Sequence, residues 1–484
     1  MLGMRFPEEP GMGRVMAALV RTKVAHAAKG VEGLAELPSM SDERALAAIR
    51  IAANLYSTAY VARPNLFAVL VLRMVELSAR KGNAPQSAFT YALYGTICCG
   101  LLGHVDTGYR LGQMAVKVLE RFEVDEFHPR TLFTVAATSQ HFKEHLPQTY
   151  RVQSQAYKSA LELGVFEFAG ASSGTHIYHL FFAGTNLRQV EWQIGTYVEV
   201  MEQVKQAAYL NYLLIYHQAV VCLLGKADDP AVLKGEAYDG PARLAEHVEA
   251  DDGHGLFNLH LLHLVLGYLF GRHRSAVEGG ASALEHVLSI ASMYPSLVFR
   301  FYDSLACLAL LGECAPDERK GLLARVARNQ KQLKKWVRYA PENHRHKYLL
   351  VEAERARVQG RPHKAGELYE KAIDLAAAGG FVSESAIGCE AAVRFFLSTG
   401  QTRIARTYLD DALREYEVWG AVAKVSHLEN EYSALLREPG PRGEPAGRQP
   451  EEELVADGPD ARVLPAGVEH AFSETNLESL LEQA

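Results

Sequence analysis

The chain has 484 residues, which suits roughly two to four ordinary domains or one long repeat array and is too long for a single small domain. Apolar residues make up 48% and charged residues 22%, a balance that excludes wholesale disorder. The net charge of −7 belongs to the C-terminal end: residues 439–484 carry ten acidic and three basic side chains, so residues 1–438 balance at 47 of each sign and have no global field for nucleic acid or an anionic membrane.

From the N-terminus, Met1 to Gly13 holds Pro7, Glu8, Glu9 and Pro10, and shows neither the basic start nor the apolar run of a secretory signal. Cys98, Cys99, Cys222, Cys307, Cys314 and Cys389 are scattered without a CxxC. Reduced thiols in a cytoplasmic protein are the expectation. Apolar residues recur at helical spacing almost everywhere up to Arg437, interrupted at Pro64, Gly82 with Pro85, Gly103, Pro129, Pro147, Gly225, Pro295, Pro316, Pro341 and Pro362. This punctuation predicts about nineteen helices of about 15–20 residues joined by short turns, and no sheet.

Three histidine pairs come next. His141 and His145 in HFKEH lie four apart, His176 and His179 three apart, and His260 and His263 three apart. The glutamate of HFKEH precedes the second histidine, whereas the metalloprotease helix places it after the first, and no third ligand is identifiable. Core hydrogen bonding is the expected role, with no metal and no cofactor. Tyr209, Tyr212 and Tyr216 repeat at gaps of three and four and read as a packing stripe. Leu256 to Gly271 is uncharged but short of a membrane span, so it reads as a buried helix.

Residues 319–347 form the densest basic stretch. Leu322, Val326, Leu333, Trp336 and Val337 make its inward stripe, and Arg328, Lys331, Lys335 and Arg338 lie at gaps of three and four on one outward face. With Arg325, these four are the candidate partner-binding residues, against the plain alternative of a solvated polar face. Downstream, Gly360, Ala365, Tyr369 and Ala372 recur forty residues later as Gly400, Ala405, Leu409 and Ala412, while Gly380 and Gly420 keep the same offset. Weaker copies stand at Gly103, Gly108, Gly112, Ala115 and at Gly271, Ala276, Gly280, Ala283. Glycine ends one helix in a left-handed cap, and the small residue five positions on admits close approach of the next. One such hairpin cannot bury its apolar face, so hairpins stack. The fold class expected is all-α: a tetratricopeptide-like α-solenoid with a repeat of about 40 residues over residues 1–438. Residues 439–472 read as a Pro/Gly-rich acidic linker, and 473–484, with Leu477, Leu480 and Leu481, as a short helix or a frayed tail. The acidic tail, through Glu451, Glu452 and Glu453, could lie against the basic helix.

The strings Arg63-Pro64-Asn65-Leu66-Phe67, Gly82 to Gly95, Tyr348 to Ala353 and Trp419 to Val425 resemble the helical region of large bacterial signalling proteins. Those proteins join a serine/threonine kinase-like domain, an NTPase, this region, a GAF domain and a histidine kinase. The likeness runs from about Gly3 to Glu431. It stops short of chemistry: there is no phosphate loop, with Gly225-Lys226 followed by Ala227, and no HRD, DFG, G-x-S-x-G or phosphoacceptor box. The resemblance implies a non-catalytic interaction or sensory module in bacterial signal transduction, with a protein or peptide partner, such as a kinase or NTPase, lying in the concave groove of the solenoid. The competing expectations are a nucleic-acid- or nucleotide-linked regulator using the 319–347 stretch, and an enzyme with an unrecognised site.

Overall fold

The structure is a computed structural model and describes residues 10–27, 30–122 and 126–437. The linker and tail expectations for 439–484 lie outside the described residues. Among those residues there are twenty-two α-helices and no strand, only two isolated bridges, Ser39 with Asn83 and Lys234 with Asp239. The first helices are α1 (Met12–His26), α2 (Glu43–Asn54), α3 (Tyr56–Ala62), α4 (Pro64–Lys81), α5 (Pro85–Thr96), α6 (Val105–Leu119) and α7 (Phe127–Thr138). The middle holds α8 (Gln148–Glu162), α9 (Phe166–Ala183), α10 (Leu187–Gln203), α11 (Ala207–Leu223), α12 (Gly240–Glu249), α13 (Gly253–Leu269), α14 (His273–Glu285) and α15 (Tyr294–Leu310). The last are α16 (Pro316–Val337), α17 (Pro341–Val358), α18 (Pro362–Ala378), α19 (Val382–Ser398), α20 (Thr402–Trp419), α21 (Val422–Glu431) and α22 (Ser433–Arg437). The count exceeds nineteen partly because short pieces such as α3 and α22 are separate helices.

The punctuation acts as its chemistry requires. Proline opens α4, α5, α16, α17 and α18 in the first turn, where its missing N–H is no loss. Gly360, Gly380, Gly400 and Gly420 each take a positive φ, between 68° and 86°, at intervals of twenty residues. Two helices therefore fill each forty-residue repeat. Most consecutive helices pack against each other, and from α5 to α19 each odd-numbered helix also touches the next odd-numbered one, which makes an α-solenoid with an inner and an outer wall.

The walls differ in sequence. Outer α20 buries one stripe, Ala405, Leu409, Ala412, Tyr416 and Trp419. Inner α5 buries every residue after Pro85, and α15 every residue except Arg300 and Ala309. A helix covered on all sides needs cover beyond its own repeat, and here the chain supplies it. α15 and α19 come back against α9, and α21 against α11. The buried Asn343 side chain at the start of α17 accepts from Leu146 N–H at 2.9 Å and donates to the carbonyls of His141 at 2.9 Å and Glu144 at 2.8 Å. Ser292 Oγ donates to Thr96 O at 2.9 Å, and the buried Lys424 ammonium reaches Leu269 O. The inner wall is thus closed by later turns of the same chain. The concave side expected to hold a peptide is in part occupied by the chain's own helices, α15 and α19 against α9 and α21 against α11.

Among the described residues one helix is long and apolar enough to cross a membrane by length and composition, Tyr294–Glu313, and most of it is buried inside the protein. α13, which covers most of Leu256 to Gly271, is likewise core.

Candidate functional site

Closure leaves a gap where packing is incomplete. A cavity of about 810 Å³ lies between α3, α7, α9, α11, the α12–α13 turn and the segment before α15. That volume is within the range of small-molecule sites, roughly 300–1,000 Å³.

Two glycines in the middle of α9 shape it. A Cβ on Gly170 would stand 2.5 Å from the Tyr209 ring, so only glycine lets that ring rest on the helix. One turn on, a Cβ on Gly174 would meet nothing within 4 Å, because the cavity begins there. Facing them, the α11 spacing brings Tyr209, Tyr212 and Tyr216 to one side. The Tyr209 and Tyr212 rings stand at 88° with centroids 5.9 Å apart. Tyr56, Tyr60 and Tyr178 complete a set of six tyrosines, with Phe67 and Phe133 beside them.

Most of these phenols are already engaged. Tyr60 donates to Ser289 O at 2.8 Å, Tyr212 to Asp252 Oδ1 at 2.8 Å and Tyr216 to Asn258 Oδ1 at 3.1 Å, while Tyr178 shares a 2.8 Å hydrogen bond with Thr175. What they offer a guest is aromatic surface. Burial pushes the Tyr60 hydroxyl up to about 12 and raises Tyr209 and Tyr178 as well, so all stay protonated at neutral pH.

Four carboxylates line the cavity: Glu167, Glu246, Asp251 and Asp252. Among the described residues no lysine or arginine does. Glu246, Ala250 and Asp251 are exposed and form the mouth. Asp251 takes a φ of 50°, in the left-handed region where a helix end ordinarily carries glycine. Asp252 caps α13 by accepting from Gly255 N–H at 2.9 Å, and His247 Nδ1 pairs with it at 2.8 Å. Burial works against the Asp252 charge, but the bonds from His247, Gly255 and Tyr212 hold its carboxyl below the usual range. His254 stacks on Tyr212 with centroids 4.4 Å apart, and burial brings its ring down to about 4, so it is neutral at pH 7. Half-buried Glu167 is raised by burial, opposed by the Arg130 charge and a bond from Ser57. Arg130 itself does not line the cavity: it pairs with Glu126 at 3.1 Å and lies over Phe127 and Phe168.

The residues singled out from sequence go to several places. Tyr209, Tyr212 and Tyr216 meet at the cavity. His141 is in the core beside His179 and Tyr294, with neither ring nitrogen hydrogen-bonded, while His145 Nε2 meets Gly379 O at 3.0 Å. His176 pairs with Tyr197 at 2.8 Å, His179 with Thr149 at 2.8 Å and His263 with Ser275 at 2.6 Å. Among the described residues no group of three or more His, Cys, Asp or Glu is placed to hold a metal. Arg325 turns inward: its Nε donates to the buried Asp303 carboxylate at 2.8 Å, so it does not belong to the exposed row. Arg328, Lys331 and Arg338 are exposed, Lys335 is half-buried against Gly103, and none of the four makes an ion pair among the described residues. Gly170, Gly174, Glu167 and the acidic α12–α13 turn were not singled out. Two glycines four apart inside an otherwise strong helix, in FAGASSGTH, were the signal that could have marked them.

No family model matches the chain. One curated protein is similar in part: hybrid signal transduction histidine kinase G of Dictyostelium discoideum, 28% identical over 159 residues. The match covers 31% of this chain and 4% of that protein's length.

Proposed function

We propose that this protein is a non-catalytic sensory module of a signal-transduction system, in which the central cavity receives a small molecule and the closed helical stack passes its occupancy on. The observation that carries the reading is the cavity itself. In a molecule whose helices α5 and α15 are buried on nearly every side, about 810 Å³ stays open behind an exposed mouth. The partial similarity to a hybrid histidine kinase supports a signalling context. On this reading the hairpins are of the tetratricopeptide-like kind, and the partner, a protein such as a kinase or NTPase of the same system, docks on the outside. The row Arg328, Lys331, Lys335 and Arg338 is its candidate contact, being charged and free of ion pairs among the described residues.

The test compares the full chain with Gly174→Leu, which places a side chain in the open space of α9. Both are purified, denatured and analysed for released small molecules by mass spectrometry. A compound released from the wild type and absent from an equally folded variant supports the reading. No released compound, together with no change in hydrogen exchange across α9, α11 and α13 on adding a metabolite extract, rejects it. Turnover of a released compound would reject the non-catalytic part.

A further inference from the structure

We infer that the cavity is selective for an organic cation, an alkylated or quaternary amine with an apolar body. This rests on the reading of the cavity as a ligand site and adds the class of ligand.

The argument is the composition of the wall. Among the described residues, six tyrosines, two phenylalanines and four carboxylates line the space, and no lysine or arginine lines it. Aromatic faces carry negative quadrupole density, and an enclosed ring set attracts an alkylated ammonium that water solvates poorly. Tyr209 and Tyr212, nearly perpendicular, form two walls of such a corner. An anion would meet four carboxylates and, among the described residues, no lysine or arginine, with only neutral groups such as Ser57, Thr134 and Asn211 to bond it. A wholly apolar guest would bury the half-exposed Glu167 further, with only Arg130, which does not line the space, to oppose the cost. A cation answers both.

The charges are also graded in depth. Glu246 and Asp251 stand exposed at the mouth, where they raise the local concentration of cations. Glu167 is half-buried farther in. The floor carries Leu93, Ile177, Leu213 and Met293, all buried and apolar, which suits the body of an amphipathic amine. The Tyr60, Tyr212 and Tyr216 hydroxyls are committed to protein acceptors, so these three side chains offer a guest ring surface.

Three probes of nearly equal shape separate charge from size: choline, its neutral analogue 3,3-dimethylbutan-1-ol, and the anion 3,3-dimethylbutanoate. Binding of each to the full chain is titrated by saturation-transfer NMR. Choline is expected to bind at least about tenfold more tightly than the alcohol, and the carboxylate not at all. Glu167→Gln should weaken choline about tenfold and leave the alcohol unchanged. Tyr209→Leu supplies the second variant, with the same selective loss. If the alcohol or the carboxylate binds as tightly as choline, the cation assignment falls and the ligand cavity stands. If none of the three binds, the assignment also falls, and the Gly174→Leu release experiment alone judges the cavity.

Discussion

His141 shows how a single residue sets the acid stability of the molecule. Its ring is fully buried against Phe142, His179 and Tyr294, and burial brings it down to about 3. His176, His260 and His346 are likewise lowered to about 4. An unfolded chain takes up a proton on each below pH 6.5, and the folded one does not. The stability these rings contribute is therefore complete above pH 6.5 and drains as the pH falls toward 4. His141→Phe keeps the aromatic contacts and removes one titration. It should flatten the pH dependence of the urea midpoint between pH 6.5 and 4 by about one proton, or ~1.4 kcal/mol per pH unit; an unchanged slope would show that the ring is not held neutral. The two α9 glycines give an opposed pair. Gly174→Ala adds a methyl facing open space and should raise stability by ~1 kcal/mol through helix propensity. Gly170→Ala drives a Cβ into the Tyr209 ring and should lower it. Thermal melts of the two variants would have to move in opposite directions. Helix propensity makes such glycines visible in sequence as a local penalty, but what occupies the space beside them depends on Tyr209, some forty residues away in the chain, which no local pattern announces.

At the scale of the helix pair, the twenty-residue rhythm of glycines from Gly360 to Gly420 was readable because each cap is a local event. A left-handed residue ends a helix whatever lies around it. Ala365 and Ala405 are fully buried, and Ala276 packs 3.2 Å from where a Cβ on Gly267 would stand, so the small residue after the cap does admit the neighbouring helix. Upstream the rhythm blurs, since Ile97–Leu101 forms a π-helical turn and the segment between α11 and α12 carries no helix. The same glycine can also act at two scales. Gly400 has a φ of 74°, and a Cβ there would meet nothing within 4 Å. Gly184 has a φ of 81°, but its Cβ would lie 2.8 Å from the Ser383 backbone N at the start of α19. Gly400→Ala should therefore cost about 1 kcal/mol, the strain of the left-handed cap alone. Gly184→Ala should cost distinctly more, because it also pushes α19 away from α9. Equal losses by chemical denaturation would mean that the α9–α19 contact carries no energy.

The whole molecule departs from the behaviour of an open repeat array, in which each repeat meets only its neighbours and terminal repeats can be removed one at a time. The apolar character of α13 already announced a helix buried all round, yet it did not say which later helix would cover it. That depends on the superhelical pitch, a sum of small rotations spread over many hairpins. Lys424 and Glu390 illustrate the problem: they are 3.0 Å apart and fully or nearly buried, but neither stands in a sequence pattern that points to the other. Closure makes a firm prediction about cooperativity. Asn343 joins α17 to the α7–α8 turn, some two hundred residues back, by three hydrogen bonds. Asn343→Ala strands one buried N–H, one buried carbonyl and one half-buried carbonyl, at roughly 1–3 kcal/mol for each buried group left unpaired, so a loss of at least ~2 kcal/mol is expected. Removing residues 341–437 goes further, since it takes α19 from α9 and α17 from α15. An open solenoid would keep α5 to α16 intact after that truncation. Here near-UV circular dichroism should collapse and hydrogen-exchange protection should vanish from α9 and α15 together. A truncated chain that keeps that protection, alongside an Asn343→Ala variant that loses under ~1 kcal/mol, would show that the stack is open.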